Sequence, residues 1–175
     1  MIHFYGHGIF ICIQVIQNRY DGSEGFDRTW NEYKEGFGDL DKEFWLGNEK
    51  IWRMTREALF QLLIQIMDFE NTKSKAYYHR FSVGNSSVNY ALQFGWYNGN
   101  AGNGLEYHQG RPFSARDLDL DASSTHCADL SGGGWWYGAC YEVNLNGLYS
   151  TAGGNLSWLS LGPLKRTQMK ITPYI

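Results

Sequence analysis

The sequence lacks any apolar run long enough to cross a bilayer, which argues against a helical membrane span. It also lacks an excess of basic charge. Fifteen Lys and Arg against eighteen Asp and Glu leave a net charge of −3. That balance argues against a general nucleic-acid or anionic-membrane binder. Cysteine is scarce, with three residues and therefore an odd one. No C-x-x-C pair and no suitably spaced His accompanies them, so zinc is disfavoured. No G-x-S-x-G elbow surrounds Ser114, which reads as a helix cap rather than a nucleophile. The opening stretch MIHFYGHGIFICIQVI has no basic start beyond His3 and no small-residue cleavage site. It is a poor signal peptide and reads better as a strand leading into VIQNR.

What the chain does have is one domain's length, 175 residues, with 17% aromatics and 21 glycines. That mix suits a turn-rich fold with aromatic packing, and it also suits a sugar-binding surface.

The densest chemistry lies in Arg116 to Gly147, RDLDLDASSTHCADLSGGGWWYGACYEVNLNG. Asp117, Asp119 and Asp121 alternate, so in extended backbone their carboxylates point one way and repel unless a cation sits between them. An oxygen cage of that kind suits Ca²⁺. An EF-hand is excluded, because counting from Asp117 puts Ala122 at its glycine position and Ala128 at its bidentate Glu position. The downstream SSTH can lend backbone carbonyls. The competing reading is a solvated acidic turn capping a helix, since D-x-D-x-D is a short pattern. Cys127 and Cys140 bracket a small loop, and a disulfide closing it is worth about 3 kcal/mol in the chain-entropy model. Of Trp135 and Trp136, either both pack in the core or one lines a cleft.

Elsewhere the periodicity predicts a helix over Asp27–Lys34, with Asp27 near its start complementing the dipole. Trp30, Tyr33 and Phe37 fall at helical spacing and read as core. Asn48–Arg56 reads as a short helix capped by Asn48, with Ile51 and Met54 on one side. Asp39, Asp41 and Glu43 read as a solvated acidic turn. Ala58–Glu70 is ambiguous between helix and strand. Lys75–Val83 and Val88–Tyr97 read as strands joined by GNSS, and Leu164–Ile171 alternates as a strand. Tyr97–Gly104 reads as a loop needing left-handed backbone. Asn85-Ser86-Ser87 and Asn155-Leu156-Ser157 are glycosylation triplets.

Several of these motifs together resemble the fibrinogen-related domains, the globular heads of fibrinogen chains, ficolins, tachylectins, angiopoietins and tenascins. The stretches are VIQ, DGS, FDRTWNEYKEGFG, EFWLGNEKI, the DLD loop with its following Asp, HCA, GGGWWYGAC, NLNG and the terminal LKRTQMKITP. The resemblance covers Val15 to Pro173. It implies an α+β, fibrinogen C-terminal-like fold with a central twisted antiparallel sheet, short helices and a loop-rich calcium-binding subdomain. Residues 1–14 would be a divergent N-terminal segment and 15–175 the domain. The sheet subdomain would span about 15–105 plus the C-terminal strand, and the calcium and ligand subdomain about 106–163. The family has further residues before its V-I-Q, including a first disulfide, so the N-terminus reads as truncated or divergent. Cys12 is then left to pair between chains, and a homo-oligomer is allowed. Ala58–Glu70 becomes a strand of the central sheet.

By position, the resemblance implies a Ca²⁺ site of the Asp119 and Asp121 side chains with the Ser123 and Thr125 carbonyls. It implies a cis peptide at Ala139–Cys140 and a structural His108 in place of the family's H-N-G histidine. Lectin members bind acetylated sugars in an aromatic pocket beside the metal. The corresponding candidates are Ser131, Tyr137, Ala139, Cys140, Tyr141, Asn155 and Trp158. The implied protein is non-enzymatic, disulfide-bonded and secreted, with glycosylation at Asn85 and Asn155. It would be either a calcium-dependent lectin of innate-immune type for acetylated, cell-surface glycans or a head for extracellular proteins with a structural calcium. Neither nucleic acid nor membrane is implied as a partner.

Overall fold

The computed structural model describes residues 12–174. Its centre is an antiparallel sheet of β1 (Gln14–Arg19), β2 (Phe37–Gly38), β3 (Phe44–Trp45), β4 (Phe60–Asp68), β5 (Lys73–Val83), β6 (Leu92–Gln93), β7 (Tyr97–Gly99) and β10 (Leu164–Pro173). The order is β2-β3-β1-β10-β4-β5-β6, with β7 also pairing β5. The C-terminal strand therefore sits mid-sheet, between β1 and β4. That position needs a chain return from the far end of the sequence, which the terminal alternation signals but cannot place. On β4, Leu62, Ile64 and Ile66 point inward, and Gln61, Leu63 and Gln65 point outward, as the period of two requires. Met169 and Ile171 on β10 and Ala76 and Tyr78 on β5 fill the same inner layer. The ambiguous Ala58–Glu70 segment is thus a strand. Near its start the β4–β5 register shifts between Phe60 and Leu62, and Arg80 takes φ 53°, the left-handed backbone of a bulge.

Four local expectations are corrected. Helix α1 spans Trp30–Glu35, and its N-cap is Thr29, whose hydroxyl and Glu32 carboxylate close a reciprocal capping box. Asp27 lies outside it; the first N–H of α1, on Trp30, instead donates to Asp117 Oδ1 at 2.6 Å. Helix α2 spans Asn48–Thr55, with Gly47 as N-cap; Asn48 is buried and accepts from the Trp45 indole at 3.2 Å. Val88–Tyr97 is not one strand. Asn89 and Tyr90 take φ 50° and 51°, breaking it into the short β6 and β7. Ser114 is no helix cap: it is buried, and its Oγ accepts from the Leu120 N–H at 3.1 Å.

Glu43 is the fifth correction. Asp39 and Asp41 are exposed, but Glu43 is 1% exposed. Its carboxylate accepts the backbone N–H groups of Tyr20, Asp21, Gly22 and Glu24. It also lies 3.8 Å from the buried Arg19 guanidinium. Arg19 donates to the Gly147 carbonyl at 3.0 Å and stacks over Phe26 at 3.8 Å. A carboxylate with this many donors tolerates burial that an isolated one would not. One acid thereby ties the DGS turn, β1 and the NLNG corner together.

The remaining chain, from about residue 100 to 163, has little regular structure. It holds α3 (Cys127–Ser131) and a two-stranded ribbon of β8 (Val143–Asn144) and β9 (Ser157–Trp158).

Candidate functional site

Polar side chains buried for their hydrogen bonds organise this loop-rich half. Trp135 and Trp136 are both fully buried, so neither lines a cleft. The Trp136 indole donates to the Tyr90 carbonyl at 2.8 Å. Asn144 donates to the Tyr137 hydroxyl at 3.0 Å and Asn146 to the Gly134 carbonyl at 3.0 Å. These bonds are why NLNG is polar yet wholly inside. The backbones pass so closely that a Cβ on Gly133 would stand 2.0 Å from the Asn146 carbonyl oxygen.

His108 is equally buried. Its Nδ1 lies 2.8 Å from the Trp136 carbonyl and its Nε2 accepts the Val143 N–H at 3.2 Å, which together define a neutral imidazole with the proton on Nδ1. Burial pushes its pKa down to about 4. Both nitrogens are committed to backbone, so His108 is a strut rather than an acid–base group.

The acidic loop lies at the surface. Asp121 Oδ1 accepts from the Ser123 N–H at 2.8 Å and Oδ2 from the Cys127 N–H at 2.9 Å. Asp119 Oδ1 accepts from the Asp121 N–H at 3.2 Å. Asp117 is turned away to α1. These bonds fold the loop so that Asp119 and Asp121 share it while leaving lone pairs on both carboxylates. Among the described residues no backbone N–H reaches the carbonyl of Ser123 or Thr125. Two carboxylates and two uncommitted carbonyls in one exposed turn are a hard-oxygen donor set that fits Ca²⁺, with water completing the shell. No cluster of three or more His, Cys, Asp or Glu able to hold a metal occurs among the described residues. A metal here would therefore depend on backbone oxygens.

The loop is bound to a second strip, Gly138–Tyr141. Cys127 and Cys140 form the expected disulfide. The Ala122 N–H donates to the Gly138 carbonyl at 3.0 Å. The Tyr107 hydroxyl accepts the Ala139 N–H at 2.6 Å. The cis peptide expected at Ala139–Cys140 is absent, as it is throughout the described residues. The turn is made instead by Cys140 at φ 58°, with Gly138 N–H bonded to its carbonyl at 2.9 Å. A non-glycine residue there costs about 1–3 kcal/mol and persists only where its surroundings fix it, as the disulfide does here. Among the described residues no acceptor meets the Cys140 N–H.

The structure divides the candidate ligand residues. Ala139 is exposed, and Cys140, Tyr141 and Asn155 are half-exposed. Asn155 reaches the Leu130 carbonyl at 3.4 Å. Ser131, Tyr137 and Trp158 are turned into the core. Tyr137 donates its hydroxyl proton to the Gly133 carbonyl, and burial drives its pKa well up. Trp158 donates to the Ala101 carbonyl at 2.9 Å. The Tyr137 and Tyr141 rings stand 5.9 Å apart, so the buried tyrosine backs the exposed one. Tyr107 is the residue that sequence reasoning missed. Nothing in LEYHQG signals a bond made 32 positions away. Of the glycosylation triplets, Asn85 is exposed, and its Oδ1 accepts from the Ser87 hydroxyl at 2.6 Å.

The chain matches the family described as fibrinogen beta and gamma chains, C-terminal globular domain, over residues 10–174, and it belongs to that family. Ryncolin-4 of Cerberus rynchops is 45% identical over 152 residues, covering 83% of this chain and 44% of the relative. Tenascin-R of Gallus gallus is 41% identical over 166 residues, covering 91% and 12%. The chain thus spans less than half the length of these relatives. The fibrinogen-like globe domain of human ANGPTL6 superposes with a TM-score of 0.89 at 38% identity, covering 92% of this chain and 78% of that one. The curled antiparallel sheet with few short helices is the fibrinogen-like globe fold.

Proposed function

We propose that this chain is an extracellular recognition domain that binds acetylated glycans, with Ca²⁺ shaping the site. The carrying observation is the physical tie between the acidic loop and the Ala139–Tyr141 strip. One disulfide and the Ala122-to-Gly138 bond join them, and the Asp121-to-Cys127 bond anchors the loop to the disulfide. Asp119, Asp121 and the Ser123 and Thr125 carbonyls would hold the ion, which would supply positive charge between the carboxylates. An ion drawing the loop together would then fix the strip. There the Cys140 N–H offers a polar contact and the Tyr141 ring an apolar one, the pairing a small acetylated ligand needs. A disulfide belongs to an oxidising compartment, which agrees with a secreted location and with extracellular relatives. No helix among the described residues is long and apolar enough to cross a membrane. The family relatives are recognition proteins, ryncolin and ficolin on the lectin side and tenascin and angiopoietin on the protein-interaction side.

The test is retention on an N-acetylglucosamine resin in calcium, with elution by free acetate and, in parallel, by a chelator. Release by both supports the proposal, and Asp119→Ala should lower retention. A second reading, a protein-interaction head with a structural calcium, is favoured by the burial of Ser131, Tyr137 and Trp158, which leaves few ring faces for a sugar. No retention, together with a calcium-dependent rise in melting temperature, would select that reading.

A further inference from the structure

The acids and bases of this chain are not evenly spread. Residues 71–105 carry Lys73, Lys75 and Arg80 and no carboxylate. Residues 143–175 carry Lys165, Arg166 and Lys170 and no carboxylate. These two segments supply β5 and β10, which flank β4 on either side. The carboxylates nearest this face are Asp68, at the end of β4, which accepts the Thr72 N–H at 2.8 Å, and the exposed Glu70 in the turn to β5, so the cations of β5 and β10 outnumber the acids beside them. A protein of net charge −3 therefore presents a cationic sheet face.

Register puts the cations in rows. Lys73 and Arg166 both pair with Met67, so they stand two strands apart, about 10 Å. Lys75 and Gln168 both pair with Gln65, one step along the same face, about 7 Å further. Together they line an open groove of about 390 Å³. Lys73, Lys75 and Arg166 are exposed, and none lies within 4.0 Å of a carboxylate among the described residues. Arg166 also stacks over the Tyr20 ring at 5.8 Å, and like charges gathered on one sheet face favour a bound anion, most strongly at low salt.

We propose that this groove binds a sulfated polysaccharide, at a site that shares no residue with the Asp119–Tyr141 region. The class of anion follows from the lining. Three cations on backbone positions about 7–12 Å apart suit a chain bearing repeated anionic groups better than a single small anion. Gln65 and Gln168 add amide groups suited to sugar oxygens. No aromatic side chain lines the groove, so it has no platform for stacked nucleic-acid bases. It is recessed rather than projecting, which disfavours insertion into a lipid surface.

The test is binding to a size-defined heparin oligosaccharide at low salt, with chelator present. The wild-type chain should bind, and affinity should fall steeply as salt rises. The variant K73Q/K75Q/R166Q should bind on the order of 100-fold more weakly, since an exposed ion pair is worth up to about fivefold. A matched variant, K34Q/K42Q/R56Q, removes the same charge elsewhere and should bind within about twofold of wild type. Unchanged melting temperatures in both keep the comparison sound. Equal loss in the two variants would reduce the effect to net charge and overturn the proposal. So would undiminished binding of fully desulfated heparin, or equal binding of single-stranded DNA or phosphatidylserine vesicles. Because chelator is present throughout, failure of the acetylated-glycan reading leaves this result standing, and the reverse holds too.

Discussion

The two halves of the molecule reach order by opposite means. The sheet half is held by long backbone ladders: β10 pairs with β4 from Leu164 to Pro173, and its inner face is plain alternating apolar packing. The loop half has almost no ladder. Buried polar side chains do the same work there: His108 between two backbone segments, Asn144 and Asn146 inside the Trp core, and the Cys127–Cys140 bond at the edge. Ladders are generic and tolerate change on their outer face. Polar struts are specific, and each one removed leaves a buried group unpaired.

The largest expected effect lies where the halves meet. Glu43→Ala strands the buried Arg19 charge and four backbone donors, and should cost about 3–5 kcal/mol by chemical denaturation. A loss under 1 kcal/mol would mean that the junction is not held there. Next, replacing Cys127 and Cys140 together by Ser should cost about 3 kcal/mol and loosen the strip more than the sheet. Acid should act through the loop half as well. The folded pKa of His108, about 4, lies below its ordinary 6.5. The unfolded chain therefore takes the proton first. Stability is full above about pH 6.5 and declines towards pH 4, by on the order of 3 kcal/mol, and His108→Gln should flatten that slope. An unfolding series across pH 4–7 reads both. At the small end, Lys73→Thr on the outer face of β5 should shift stability by no more than about 0.5 kcal/mol. A larger loss would show that the outer face is not a tolerant surface.

Legibility in the sequence followed the same division. β10 could be read from its alternation, because a strand's face is set by its own side chains. Alternation alone left β4 undecided, and the family resemblance settled it. The capping box of Thr29 and Glu32 is legible as T-x-x-E, whereas Asp27 precedes the cap and lies outside the helix. Val88–Tyr97 looked like a strand because its composition is β-rich. Asn89 and Tyr90 turn left-handed because a distant partner holds them, the Tyr90 hydroxyl donating to Glu49 at 2.8 Å. Glu43 sat in an acidic run, and nothing local told it from Asp39 and Asp41. Its donors come from about twenty residues upstream. In the site, the disulfide and the exposure of the acidic loop agree with what the residues suggested. The burial of Tyr137 and Trp158 and the part played by Tyr107 depend on tertiary packing that spacing does not encode.

The central claim is that the Asp119–Thr125 loop and the Gly138–Tyr141 strip move as one unit under a calcium ion. Backbone hydrogen exchange with and without calcium tests it most directly. The account predicts that calcium slows exchange across residues 119–127 and equally across 138–141, while β4 from Phe60 to Asp68 stays unchanged. Slowing in the loop alone, or none in either segment, would contradict it.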